Sequence, residues 1–409
     1  MNGSKKLNNQ FIGASQLSKM LFLFALGTAG LMVPTFVVAI AKQDAWISMA
    51  IAGPLNYIVL LLYLALAERF PGLTLAQYAE KLLGTWLGKA LTLVYVCFFL
   101  LLSALVLRNI VDFLGLSVLP GTPNWVIAFT FMLVIVYGAY LGIETIARSG
   151  ELLFGWTVLV IFIIMLLLTN QFEPKNFEPF VYEGWTRPFK GLYPILGFPL
   201  GEFVVMSAFF PFVKQADVGK LRKHLKLAAM FVGIFSVGIS VLLLGVLGVD
   251  ETRRSPFSIF DMAKTINVED VIVRVEVTVA IVWVSTVFMK LMMSFYGATL
   301  LAAQMLNLKS YRPLIVPFTF VVVPLSIAVY RNSAHAEYFA MQIWTPFSLT
   351  IGVAIPMLLL LFAFITGKRT ARSKGDMPVK ASYEAPNDSP SGGKAQQSGA
   401  GQAGGATPS

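Results

Sequence analysis

Leu192-Tyr193-Pro194-Ile195-Leu196-Gly197-Phe198-Pro199-Leu200-Gly201-Glu202 sits in a run apolar enough to cross a bilayer, yet it carries two prolines, two glycines and a carboxylate. In a helix interior glycine costs about 1 kcal/mol relative to alanine, and proline about 3 kcal/mol. Such a run is expected to unwind locally. Backbone groups freed inside a bilayer cost several kcal/mol each unless they line a polar or water-filled site. A second interruption, Gly27-Thr28-Ala29-Gly30 followed by Pro34, lies in the first apolar run of the chain. Paired breaks at corresponding positions of two halves point to a ligand site near the membrane midplane. The same glycines also suit close helix packing through small residues, and the sequence leaves both readings open.

Working outward, the 409-residue chain is 57% hydrophobic and only 13% charged, with a mean hydropathy of +0.74. Soluble domains carry roughly 25% charged residues, so a soluble protein is excluded. The runs are about 20 residues long, as membrane helices require, which also excludes an outer-membrane barrel of alternating strands. Ten helices are predicted, near 17–41, 45–67, 89–113, 125–143, 150–169, 191–213, 225–249, 271–303, 313–330 and 341–366. The first exceeds the apolar length of a signal peptide and is expected to stay attached. Five plus five helices put helix 6 in the opposite sense to helix 1, the arithmetic of an inverted repeat. The expected fold is therefore an all-α polytopic membrane protein with helices 1 and 6 broken. Residues 1–16 form an N-terminal segment, 17–366 the membrane domain, and 367–409 a Gly/Ser/Ala/Gln-rich tail that cannot bury a core and is expected to be disordered.

Of the 31 lysines and arginines, twice as many fall on the side of the N-terminus as on the other, among them Lys214, Lys220, Arg222, Lys223 and Lys226. The positive-inside rule then places both termini in the cytoplasm. The net charge of +10 is thus a topology signal that needs no nucleic-acid partner. Between helices 2 and 3, Leu75, Tyr78, Leu82, Leu83 and Trp86 are expected to share the apolar face of a helix along the inner surface. Residues 256–270 read as a short outer helix capping the bundle. One cysteine, Cys97, and two histidines, His224 and His335, offer no disulfide, metal or nucleophile–base constellation. No enzyme, cofactor or metal site is expected.

Three stretches carry a family resemblance: Ala41-Lys42-Gln43-Asp44-Ala45-Trp46 after helix 1; Gly142-Ile143-Glu144 with Arg148 and Glu151; and Gly201-Glu202 followed by Phe210-Pro211-Phe212. Over roughly residues 10–366 the chain resembles the spore germination permeases, the B subunits of nutrient germinant receptors in the amino acid–polyamine–organocation superfamily. The resemblance implies a leucine-transporter-like fold and an amino acid or similar nutrient bound among helices 1, 3, 6, 8 and 10. It also implies A and C receptor subunits as partners and a place in the cell membrane or inner spore membrane. The site would comprise Gly27, Thr28, Ala29, Gly30, Gly197, Phe198, Gly201 and Glu202, with hydroxyls from Tyr95, Ser285 and Thr286.

An ionisable group within a span costs at least about 2.5–3.5 kcal/mol and persists where it meets a cavity or a partner. Glu202 suits a ligand's ammonium, a proton, or the freed amides of its own broken helix. Lys290 suits an internal cation set against helix 1, a partner for Glu202, or snorkelling to the inner headgroups. Glu144, Arg148 and Glu151 have the spacing of a local ion-pair latch, and Asp44-Ala45-Trp46 that of an outer interfacial anchor. The leading functional reading is a nutrient-sensing subunit. The alternatives are an amino-acid permease, proton-coupled through Glu202 or facilitative, and a structural subunit with a vestigial site.

Overall fold

The computed structural model describes residues 11–181, 184–266 and 275–369, and at positions 28, 29, 31, 215 and 333 the backbone alone. Ten spans are present among them. Helix 1 is Ala14–Ala41, helix 2 Ala45–Arg69, helix 3 Thr85–Phe113, helix 4 Asn124–Leu141 and helix 5 Ile143–Leu167. Helix 7 is Val218–Arg254, helix 8 Val275–Met305 and helix 9 Arg312–Ala328. Below, "inner" denotes the side rich in lysine and arginine.

Helix 1 is broken at Gly27, with Gly30 and Pro34 remaining in helix, and helix 6 is broken at Phe198 and Pro199. In helix 1 the backbone leaves helical geometry at Gly27 (φ −42°, ψ −107°). Helix 6 is in pieces: Leu192–Gly197 is α-helical, Phe198 is extended (φ −132°, ψ 115°), and Leu200–Ala208 continues as a 3-10 helix. Helix 10 runs from Ser333 to Ile365 with two π-helical stretches, Phe339–Trp344 and Thr350–Ala354. Its start is earlier than expected, because Asn332 caps it by accepting the His335 amide at 2.8 Å. Positions 271–274 of the expected helix 8 lie outside the described residues, as does the tail from residue 370.

The tertiary structure corrects two local expectations. The inner helix ends at Leu83, because Gly84 takes φ 85°, a value glycine tolerates, and turns the chain into helix 3. Leu75, Tyr78 and Leu82 are buried against the protein, whereas Trp86, already on helix 3, is 90% exposed. The five residues do not share one face. Asp44 is likewise no surface anchor: it is buried, and its Oδ1 accepts the Val181 amide at 3.0 Å.

The bundle is closed at both ends around the breaks. On the outer side the helix Ser258–Lys264 seats Phe257 and Phe260 edge-on against Phe113, and Ser258 is hydrogen-bonded to Thr35 of helix 1 at 2.7 Å. On the inner side Ile12 forms a parallel β-bridge with Val213, donating to Phe212 O and accepting from Lys214 N, both at 2.9 Å. Lys19 and Gln16 of helix 1 hold Glu151 of helix 5 at 2.7 and 3.0 Å. The expected latch is therefore split: Arg148 pairs with Glu144, and Glu151 reaches across to helix 1.

Candidate functional site

Helix 8 brings Lys290 against the break in helix 1. A Cβ at Gly27 would stand 2.9 Å from Lys290 Cδ and 3.0 Å from its Cβ, so glycine there makes room for the lysine stem. The ammonium lies 5.2 Å from the Phe24 ring centroid, within cation–π range. It then meets Glu202, which follows the break in helix 6, at 2.5 Å. The second carboxylate oxygen, Oε1, accepts the indole N–H of Trp344 on helix 10 at 3.1 Å. Glu202 and Lys290 are both 0% exposed. A buried pair is tolerable when its remaining lone pairs and protons find partners, and Trp344 supplies one. Trp344 is itself stacked on Phe98 of helix 3 at 5.2 Å. Helices 1, 3, 6, 8 and 10 thus converge on one charged centre. Lys290 is both the cation against helix 1 and the partner of Glu202.

The remaining expected residues divide. Gly30 lines two cavities, and a Cβ there would find nothing nearer than Leu26 Cβ at 4.0 Å. Phe198 lines one of these cavities and Thr286 the other. Gly197 and Gly201 pack against helix 10 instead. A Cβ on Gly197 would collide with the Thr345 hydroxyl, and one on Gly201 would lie 2.7 Å from Ser348 Oγ. A Cβ on Gly352 would strike the Gly201 carbonyl oxygen. Tyr95 is buried with its hydroxyl on the Ile351 carbonyl at 3.2 Å, and Tyr63 of helix 2 donates to the Gly352 carbonyl. Both carbonyls belong to the π-helical stretch, whose i→i+5 pattern disturbs the regular ladder. Ser285 and Thr286 bond carbonyls of their own helix, Ile281 and Trp283, at 2.8 and 3.1 Å. The side chains of Thr28 and Ala29 lie outside what the structure describes.

Sequence reasoning expected helix 10 at the site but named none of its residues, and it left out helix 2. Thr345, Ser348 and Gly352 form a stripe of small residues at i, i+3 and i+7, the pattern that lets helices approach closely; it was available in the sequence. So was Asn56, an amide in the middle of a span, two residues after Pro54.

The chain matches the family model described as spore germination protein over residues 11–336. It is 27% identical over 379 residues to spore germination protein KB of Bacillus subtilis (strain 168), covering 90% of this chain and 99% of that one. With spore germination protein YndE of the same organism the identity is 24% over 358 residues, covering 86% and 96%. Among solved structures it is similar to a Na+-coupled sialic acid symporter in a substrate-bound outward-open state (TM-score 0.59, 13% identity, 89% of this chain and 82% of the other). It is also similar to Mhp1, a nucleobase-cation-symport-1 family transporter, closed with bromovinylhydantoin bound (TM-score 0.60, 12% identity, 90% and 82%). The fold is the five-plus-five, leucine-transporter-like arrangement in a multi-pass integral membrane protein.

Proposed function

The chain belongs to the spore germination protein family, and from that premise we propose that it is the nutrient-sensing membrane subunit of a germinant receptor. An amino acid or similar small germinant binds at mid-membrane where helices 1 and 6 are broken. Binding is passed to partner subunits, the A and C subunits of such receptors, in the inner spore membrane, with both termini cytoplasmic. The observation that carries this reading is the Glu202–Lys290 pair. It ties the broken helix 6 to helix 8, whose Lys290 stem packs into the break of helix 1, and it is capped by Trp344 from helix 10. A ligand that draws Glu202 away from Lys290, or inserts between them, shifts helices 1, 6 and 10 relative to helix 8. A small binding event thereby becomes a rearrangement of the bundle. A ligand moves such an equilibrium only as far as its affinities for the two arrangements differ, and a charge pair in low dielectric provides that difference.

A second reading, an amino-acid permease, is favoured by the likeness of the fold to two symporters. Proteoliposomes holding the full chain separate the two. Saturable binding of labelled amino acids without net uptake supports the sensor, and uptake above protein-free vesicles supports the carrier. Absence of both binding and uptake across a broad nutrient panel overturns both and leaves a structural subunit.

A further inference from the structure

A short helix, Thr186–Lys190, leads into the outer half of helix 6, Leu192–Gly197. Along it Trp185, Phe189 and Tyr193 stand four residues apart and are 60%, 58% and 39% exposed. Past Leu196 the exposure ends: every residue from 197 to 211 is buried. The three rings, with Leu196 and with Ile40 at the outer end of helix 1, wall a groove of ≈ 800 Å³. Pockets for organic ligands measure ~300–1,000 Å³, so the groove is of a size for a molecule rather than an ion.

The opposite face of this segment is held firmly by the protein. A Cβ on Gly191 would collide with the Ser48 hydroxyl of helix 2 and lie 2.9 Å from Ala41 Cβ of helix 1. Ser48 donates to the Pro188 carbonyl, and Tyr193 to the Met341 carbonyl of helix 10, both at 2.8 Å. The groove is therefore built on a fixed wall.

Depth and charge select the occupant. At about 1.5 Å per residue the rise from Trp185 to Leu196 is about 16 Å, close to one leaflet of a hydrocarbon core about 30 Å thick. A membrane helix of a partner would need an exposed face along the whole core, and here the face stops half-way. Lys190 is the one cation in the wall; among the described residues the wall holds no acid, and Lys190 is exposed and makes no ion pair. A lysine near a helix end reaches the headgroup level, the zone that tryptophan also favours. A phosphate at Lys190 and an acyl chain on the apolar wall match both features.

We infer that this groove is a binding site for an anionic phospholipid of the outer leaflet, with its phosphate on Lys190 and an acyl chain between Ile40 and Leu196. The site is independent of the nutrient reading. A lipid there touches the outer halves of both broken helices and links them from the bilayer side.

The test is tryptophan fluorescence of the full chain in nanodiscs of mixed phosphatidylcholine and phosphatidylglycerol, one of the two lipids brominated in the upper part of its chains. The share of quenching due to Trp185 is the difference between the parent and Trp185→Phe. Brominated phosphatidylglycerol is expected to half-quench Trp185 at a several-fold lower mole fraction than brominated phosphatidylcholine. Lys190→Gln should erase this preference and Lys190→Arg should keep it. Lys223→Gln, in the basic cluster of the inner side, should leave it unchanged. Equal quenching by the two lipids would mark ordinary boundary lipid and overturn the assignment, as would a preference that survives Lys190→Gln or is lost with Lys223→Gln. A preference abolished by dissolved glycerol phosphate would overturn it in favour of a free phosphate ester. Quenching of Trp185 by neither lipid would overturn it in favour of a protein cover over the groove.

Discussion

Glu202 and Lys290 show how one contact changes the meaning of two residues. Each is an ionisable group inside a span, and sequence alone allows each several separate roles. The 2.5 Å contact makes them one unit, completed by the Trp344 indole. Removing one member of a buried pair leaves an uncompensated charge, typically a loss of about 3–5 kcal/mol, whereas removing both is often neutral. Glu202→Gln and Lys290→Met are each expected to lower the melting temperature of the purified protein. The double variant should regain most of the loss, since the amide of Glu202→Gln can still accept from Trp344. A double variant that melts no higher than the worse single variant would show that the two charges are not energetically coupled. Ligand binding read on the same samples separates roles: a double variant that is stable yet unresponsive marks the pair as part of the sensing machinery.

At the scale of elements, the seam between helices 6 and 10 and the break in helix 1 use glycine for different reasons. Gly201 and Gly352 bring two backbones together, so even one methyl group collides with main chain or Ser348. Overpacking of this kind costs about 1–3 kcal/mol or more. Gly201→Ala is expected to lower the melting temperature by several degrees, and Gly352→Ala to reduce accumulation in the membrane. Gly30 has open space beside it, so Gly30→Ala should fold like the parent and alter the ligand response by intruding on the cavities. If Gly30→Ala destabilises as much as Gly201→Ala, the distinction between seam and site is wrong. Tyr63 and Tyr95 belong to the same seam. Replacing either by phenylalanine removes the side-chain donor to a buried carbonyl of helix 10, a loss of about 1–3 kcal/mol measurable by thermal or denaturant unfolding. The π turns of helix 10 were not legible in its sequence, which reads as one regular apolar helix. They match acceptors to hydroxyls on other helices, and periodicity carries no information about those partners.

For the molecule as a whole, the C-terminal end of the described residues forms a clasp. Arg69 donates to the Lys368 carbonyl at 2.9 Å, and Lys368 reaches the Leu82 carbonyl at the same distance. Beyond it the low-complexity composition supplies no apolar surface to bury. A chain stopped after Lys374 is therefore expected to accumulate, melt and bind nutrient like the full-length protein; failure to accumulate would assign the tail a folding role. The ten spans and the two broken helices were determined by the sequence itself. Span length is set by bilayer thickness, and Gly27, Pro34, Gly197, Pro199 and Gly201 act on their own backbones through entropy, sterics and missing donors, which are local effects. What each break packs against was decided only by the tertiary structure. A glycine that admits a lysine stem, one that admits a neighbouring helix and one that opens a cavity are the same residue in sequence. They differ in what the fold sets against them: Lys290 at Gly27, Ser348 at Gly201, open space at Gly30.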